Sequence, residues 1–169
     1  VTEWGPNGTW EVEKTAWGAE IEPSSTEKAR QLAIRHSYIA GDRERCLGGY
    51  FFLWGWKQES TPTWFSLFTK DGRMTAGLEV LRLLWSGEPP EHEAPRIAGL
   101  HLNGLEPEDS LTVAPDEPMQ ADFMLARGDP AAVELHWEVL PESTDKGVGG
   151  DEEEKPEPVS FDTRASDGT

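Results

Sequence analysis

The sequence predicts an α/β half followed by an all-β half, and three observations predict it. Residues 25–86 hold two helical patterns separated by a continuous apolar run. Residues 118–140 hold two stretches in which apolar and polar residues alternate instead. Between these halves lies GEPPEHEAP, residues 87–95, whose Pro and Glu content reads as a linker. The expected division is therefore 1–87, a linker at 88–95, and 96–169.

In the first half, Ser24 and Glu27 have the spacing of a capping box, and Ala29, Leu32, Ala33 and His36 follow at helical intervals. This predicts a helix over 25–40, ended by Gly41-Asp42, with His36 on its apolar side as a packing residue. Tyr50-Phe51-Phe52-Leu53-Trp54 has no alternation, which is how a strand buried on both faces reads. A polar loop, the stretch TWFSLF and the turn at Asp71-Gly72 lead to a second helix over 75–86. Thr75 is its expected cap, and Leu78, Leu81 and Trp85 share one side.

In the second half, Met119, Ala121, Phe123 and Leu125 alternate with polar partners, as do Val133, Leu135, Trp137 and Val139. Both read as half-buried strands, with RIAGLHL (96–102) and SLTV (110–113) as shorter ones. The expectation is an antiparallel sandwich with Trp137 in its core. Residues 142–158 read as a solvated, mobile loop, and their DEEE run lacks the spaced oxygens of a calcium loop.

The balance of 15 Lys and Arg against 32 Asp and Glu gives a formal charge of −17, which repels nucleic-acid phosphates and anionic membrane surfaces. No nucleic-acid partner is expected. The single cysteine, Cys46, excludes an intrachain disulfide and reads as a small buried hydrophobe. No run approaches the roughly 20 apolar residues that span a bilayer. His92, His101 and His136 lack metal-ligand partners at usable spacing, so neither metal nor cofactor is expected. Val1 is not an initiator residue, and the sequence reads as a fragment cut from a longer frame at both ends.

Helix, doubly buried strand, loop and helix are the grammar of a βα barrel or a doubly wound sheet. With Val1-Thr2-Glu3-Trp4 ending one strand and residues 50–54 in the next, the helix between them becomes a crossover. VTEWG, then GGYFFLWGWKQ, then TWFSLFTKDGRMTAGLEVLRLLW resemble the last quarter of the catalytic barrel of retaining glycoside hydrolases of the large β/α-barrel clan, which includes β-galactosidase, β-glucuronidase and cellulase-like families. The resemblance spans residues 1–86 and implies a partial TIM barrel made of the last βα units. Residues 95–169 resemble the front part of an immunoglobulin-like or fibronectin-like module of the kind appended to extracellular glycosidases, with Asp129-Pro130 before LHWEV as the most telling piece. The company such modules keep is extracytoplasmic.

Carried over to this sequence, the resemblance makes Glu3 the catalytic nucleophile and Trp54 an aromatic wall for the sugar. Retaining hydrolysis needs two carboxyl groups about 5–5.5 Å apart, one attacking the anomeric carbon and one protonating the leaving oxygen. An indole face nearby stacks on the apolar face of a sugar ring. Trp4, Trp10, Trp17, Trp56 and Trp64 are expected at the same end; of these Trp4 and Trp56, with Glu59 beyond the second strand, join the substrate contacts. The clan's acid/base Glu follows the fourth strand, and nothing in this sequence replaces it. The implied partners are a carbohydrate substrate and the rest of the barrel upstream, and the isolated chain is expected to be inactive. The alternatives are a non-catalytic carbohydrate-binding protein using exposed tryptophans and a structural module.

Overall fold

A computed structural model describes residues 1–147 and 151–162. Parts of the 142–158 loop and the end of the expected sandwich, Gly168-Thr169 included, lie outside the described residues.

The first helix, α1, is Ser25–Gly41. It starts where the capping box predicts: Ser24 Oγ accepts the Glu27 amide at 3.2 Å, which satisfies one of the donors a helix start leaves open. Ala29 and Leu32 are buried as their spacing requires. The second helix, α2, is Ala76–Ser86, and Gly87 closes it in a left-handed conformation (φ 76°), its amide donating to the Leu83 carbonyl at 2.8 Å. Thr75 precedes α2, but its hydroxyl donates to the Leu67 carbonyl at 3.0 Å instead of capping. The helices pack so closely that a Cβ on Gly77 would lie 3.2 Å from Leu32 Cδ1. Trp4, Leu32, Leu67, Leu78 and Leu81 form the core, with Ile39, Phe51 and Phe68 packed against it.

Beyond the linker, β1 (Arg96–Leu102) pairs antiparallel with β2 (Ala121–Arg127), Leu100 opposite Phe123 and Ile97 opposite Leu125. Two contacts join this hairpin to the helices. The Ile97 amide donates to Thr26 Oγ1 at 2.7 Å, and Arg96 Nη2 reaches Glu79 Oε2 at 3.0 Å.

The expected partial TIM barrel followed by a partial immunoglobulin-like sandwich is not what forms. Among the described residues there are two α-helices and one two-stranded antiparallel sheet. Residues 1–4 and 50–54 share a single parallel bridge, Trp4 with Phe51, and no ladder extends from it. The apolar run is not buried on both faces: Tyr50 and Trp54 are exposed and the residues between them half-buried, because the segment has a neighbour on one side only. Residues 110–113 form no strand. Residues 133–140 do not alternate in burial: all but Val133 and Leu140 are exposed, Trp137 included, and among the described residues their one backbone bond to a distant segment is from Val159 N to the Val139 carbonyl at 2.8 Å. Alternation prepares a face for burial; a strand also needs a ladder for its amides and carbonyls.

Cys46 is half-buried, not buried as its residue type suggests. Most described residues of the 142–158 segment are exposed, but Ser143 and Glu153 are buried. Among the described residues no helix is long and apolar enough to cross a membrane.

Candidate functional site

The site is built on the pairing of residues 1–4 with residues 50–52. The Trp4 amide donates to the Tyr50 carbonyl at 3.0 Å, and the Phe52 amide donates to the Trp4 carbonyl at 2.8 Å. Along an extended segment successive side chains point to opposite faces. Trp4 packs inward, its ring edge-on to Phe51 at 5.2 Å and tilted against His36 of α1 at 6.0 Å. Glu3, beside it, is exposed and makes no ion pair among the described residues.

The residues after Glu3 are held from three sides. Gly5 lies directly against the Phe52 carbonyl, where any side chain would collide. The Arg35 guanidinium, reaching from α1, donates to the Gly5 carbonyl and to Asn7 Oδ1. Trp64, buried, donates its indole N–H to the Asn7 carbonyl at 2.9 Å. The Trp-Gly after Glu3 thus has a local cause: an inward anchor followed by a close backbone approach.

Trp54 is 62% exposed, edge-on to Phe68 at 5.5 Å and stacked on Trp85 of α2 at 6.4 Å and 26°. Trp56 is half-buried, with the Lys70 ammonium 4.9 Å above its ring. Glu59 is half-buried and paired with Lys57. Trp4 belongs to the core. Among the described residues no hydrogen bond, ion pair or ring contact joins Glu3 to Trp54, Trp56 or Glu59.

Sequence reasoning missed the buried charge beneath these loops. Lys28 lies in the first turns of α1, is buried, and donates to Glu22 Oε1 and to the Thr63 carbonyl at 2.7 Å. Thr61 and Thr63 donate their hydroxyls to the two oxygens of Glu22. Both carboxylate oxygens are therefore engaged, and Glu22 acts as a tie between the loop after Glu3 and the loop after Trp54. Burial pushes the Lys28 ammonium below its ordinary 10.5, against the pull of Glu22. A signal was present: a lysine near a helix N-terminus opposes the macrodipole and requires an anionic partner.

A cavity of about 920 Å³ lies next to this network, between α1, the loops and β1. Glu22, Lys28, Phe65, Leu100 and Phe123 are among its walls, and none of Glu3, Trp4, Trp54, Trp56 or Glu59 is. Glu27, on its rim, is held below the ordinary carboxylate range by its hydrogen bond from Arg30, against desolvation. Trp4 and Trp85 line a second cavity of about 370 Å³ with His36 and Cys46. Of the residues named by the resemblance, Trp4 alone borders one of these two cavities, the smaller one. Of the carboxylates that line the larger cavity, Glu22 has both oxygens engaged by Lys28, Thr61 and Thr63.

Compared with protein-family models and with curated proteins, the sequence matches none.

Proposed function

We propose that the chain is part of a retaining glycoside hydrolase in which Glu3 supplies the nucleophile. The observation that carries this reading is the setting of Glu3: exposed, without an ion pair among the described residues, and followed by a backbone held by Phe52, Arg35 and Trp64. A nucleophile needs a free carboxylate on a fixed support, and this position supplies both.

In the reaction, the Glu3 carboxylate attacks the anomeric carbon while a carboxylic acid about 5–5.5 Å away protonates the departing oxygen. A covalent glycosyl ester results. Water activated by the same second residue then releases the sugar and restores the carboxylate. The reading assigns that acid/base to a part of the enzyme other than these 169 residues. The exposed Trp54 indole supplies a stacking surface for the substrate.

The test is covalent labelling of the full-length protein with a panel of 2-deoxy-2-fluoro glycosides bearing a good leaving group. The label is expected on the peptide containing Glu3, and Glu3→Gln is expected to lose both label and turnover. Label on another carboxylate, with turnover of Glu3→Gln unchanged, rejects the assignment.

A second reading, non-catalytic carbohydrate binding, has its own support: Trp10, Trp17, Trp54 and Trp85 are all exposed. Oligosaccharide binding that survives Glu3→Gln, disappears in Trp54→Ala and comes with no labelling of the full-length protein favours it.

A further inference from the structure

The acidic run near the C-terminus is docked. Glu153 is only 7% exposed although it lies in the run DEEE. Its Oε2 accepts the Ser60 amide at 2.7 Å, its Oε1 accepts the Gly147 amide at 3.0 Å, and its own amide donates to the Gln58 carbonyl at 3.0 Å. A carboxylate taken from water needs such donors, and amide bonds to a charged acceptor are among the stronger ones.

The same segment touches the other loop as well. Lys146 Nζ lies 3.5 Å from Glu20 Oε2, in the loop that follows Glu3. Ser143 is buried and donates to the Asp145 carbonyl at 3.0 Å, which braces the first arm, and the Glu154 amide donates to Asp145 Oδ2 at 2.7 Å, which ties the second arm to the first. Gly147 is where the arms meet: a Cβ there would lie 3.0 Å from the Asp151 carbonyl oxygen and 3.3 Å from Glu153 Cγ.

We propose that residues 143–147 and 151–154 form an intramolecular clasp, latched by Glu153, that holds the loop carrying Trp56, Gln58 and Glu59 closed against the body of the protein. Two features of the loop fit this role. Gln58 is 1% exposed, and among the described residues its Oε1 has no partner, so its burial carries a cost that exposure of the loop would relieve. Ser60 has φ 55°, an uncommon conformation for a residue with a side chain, and the Glu153 carboxylate engages its amide. Opening this loop requires Glu153 to leave. The clasp does not depend on what Glu3 does.

Amide exchange followed by NMR on the full chain tests it. In Glu153→Ala, exchange at Ser60 and Gly147 is expected to quicken about tenfold or more, as local opening no longer has to break charge-assisted bonds. Glu153→Gln, which retains one acceptor oxygen, is expected to fall between. Gly147→Ala leaves the carboxylate in place and crowds its seat, so it is expected to quicken Ser60 as well. Rates at Ser60 that stay at the wild-type value in Glu153→Ala and Gly147→Ala overturn the proposal. So do rates that rise only in step with the amide of Leu81 in α2.

Discussion

Gly5 and Phe52 stand so close that a Cβ on Gly5 would overlap the Phe52 carbonyl oxygen. That contact sets how Glu3 is presented, because the collision lies two residues from the carboxylate and within the paired segment. Gly5→Ala is expected to cost about 1–3 kcal/mol through backbone displacement. Urea denaturation measures it, and a midpoint equal to wild type would show that the segment tolerates separation.

Lys28 gives a pH dependence with a defined sign. Burial lowers its folded-state pKa below 10.5, so between that lowered value and 10.5 the unfolded chain holds more protons than the folded one. Stability contributed by this group therefore rises with pH through that window and is flat below it. Denaturation of wild type and Lys28→Met across the alkaline range is expected to give a difference that shifts in favour of wild type as pH approaches 10.5. A difference of the opposite slope contradicts the burial argument.

Glu79 is 4% exposed on α2, with Oε2 on Arg96 and Oε1 accepting the Ala94 amide. Arg96 has a second nitrogen, Nη1, buried without a partner among the described residues, and Glu79 is its one ion-pair partner among them. Glu79→Ala is expected to cost about 1–3 kcal/mol by leaving the half-buried Arg96 guanidinium without its carboxylate. Chemical denaturation gives the magnitude, and faster amide exchange at Ala94 and Ile97 locates the damage at the joint with β1.

Glu3→Gln tests the converse expectation. Glu3 is exposed and unpaired among the described residues, so the substitution is expected to change stability by no more than about 0.5 kcal/mol. In the full-length protein it is expected to lower turnover by roughly 10⁴-fold or more, the scale seen when a covalent nucleophile is lost. Thermal denaturation beside initial rates separates the two effects.

The helices were legible because their signals are local. Ser24, Glu27, Ala29 and Leu32 specify α1 through bonds and contacts made within a few residues or against one partner helix. Residues 133–140 were not legible in the same way. Their alternation is compatible with a strand, yet the ladder depends on a second segment whose presence the alternation does not encode. Trp4, read from the sequence as a substrate contact, packs in the core, because its inward seat depends on Phe51 and α1, which lie far from it in the chain. Nothing in DEEE distinguishes Glu153 from its neighbours, because its burial comes from amides of residues 60 and 147, the first far away in sequence. Lys28 lay between these cases: its place near a helix start announced an anion without saying which.

The Pro-rich joint invites division of the gene at residues 87–95. Thr26 to Ile97 and Glu79 to Arg96 run across that joint like two sutures. Severing there would leave an upstream piece with a naked anion in its interior and a downstream hairpin, only two strands wide, with no wall to lean on. What looks like a hinge in the text of the chain is, in three dimensions, a seam under tension from both sides.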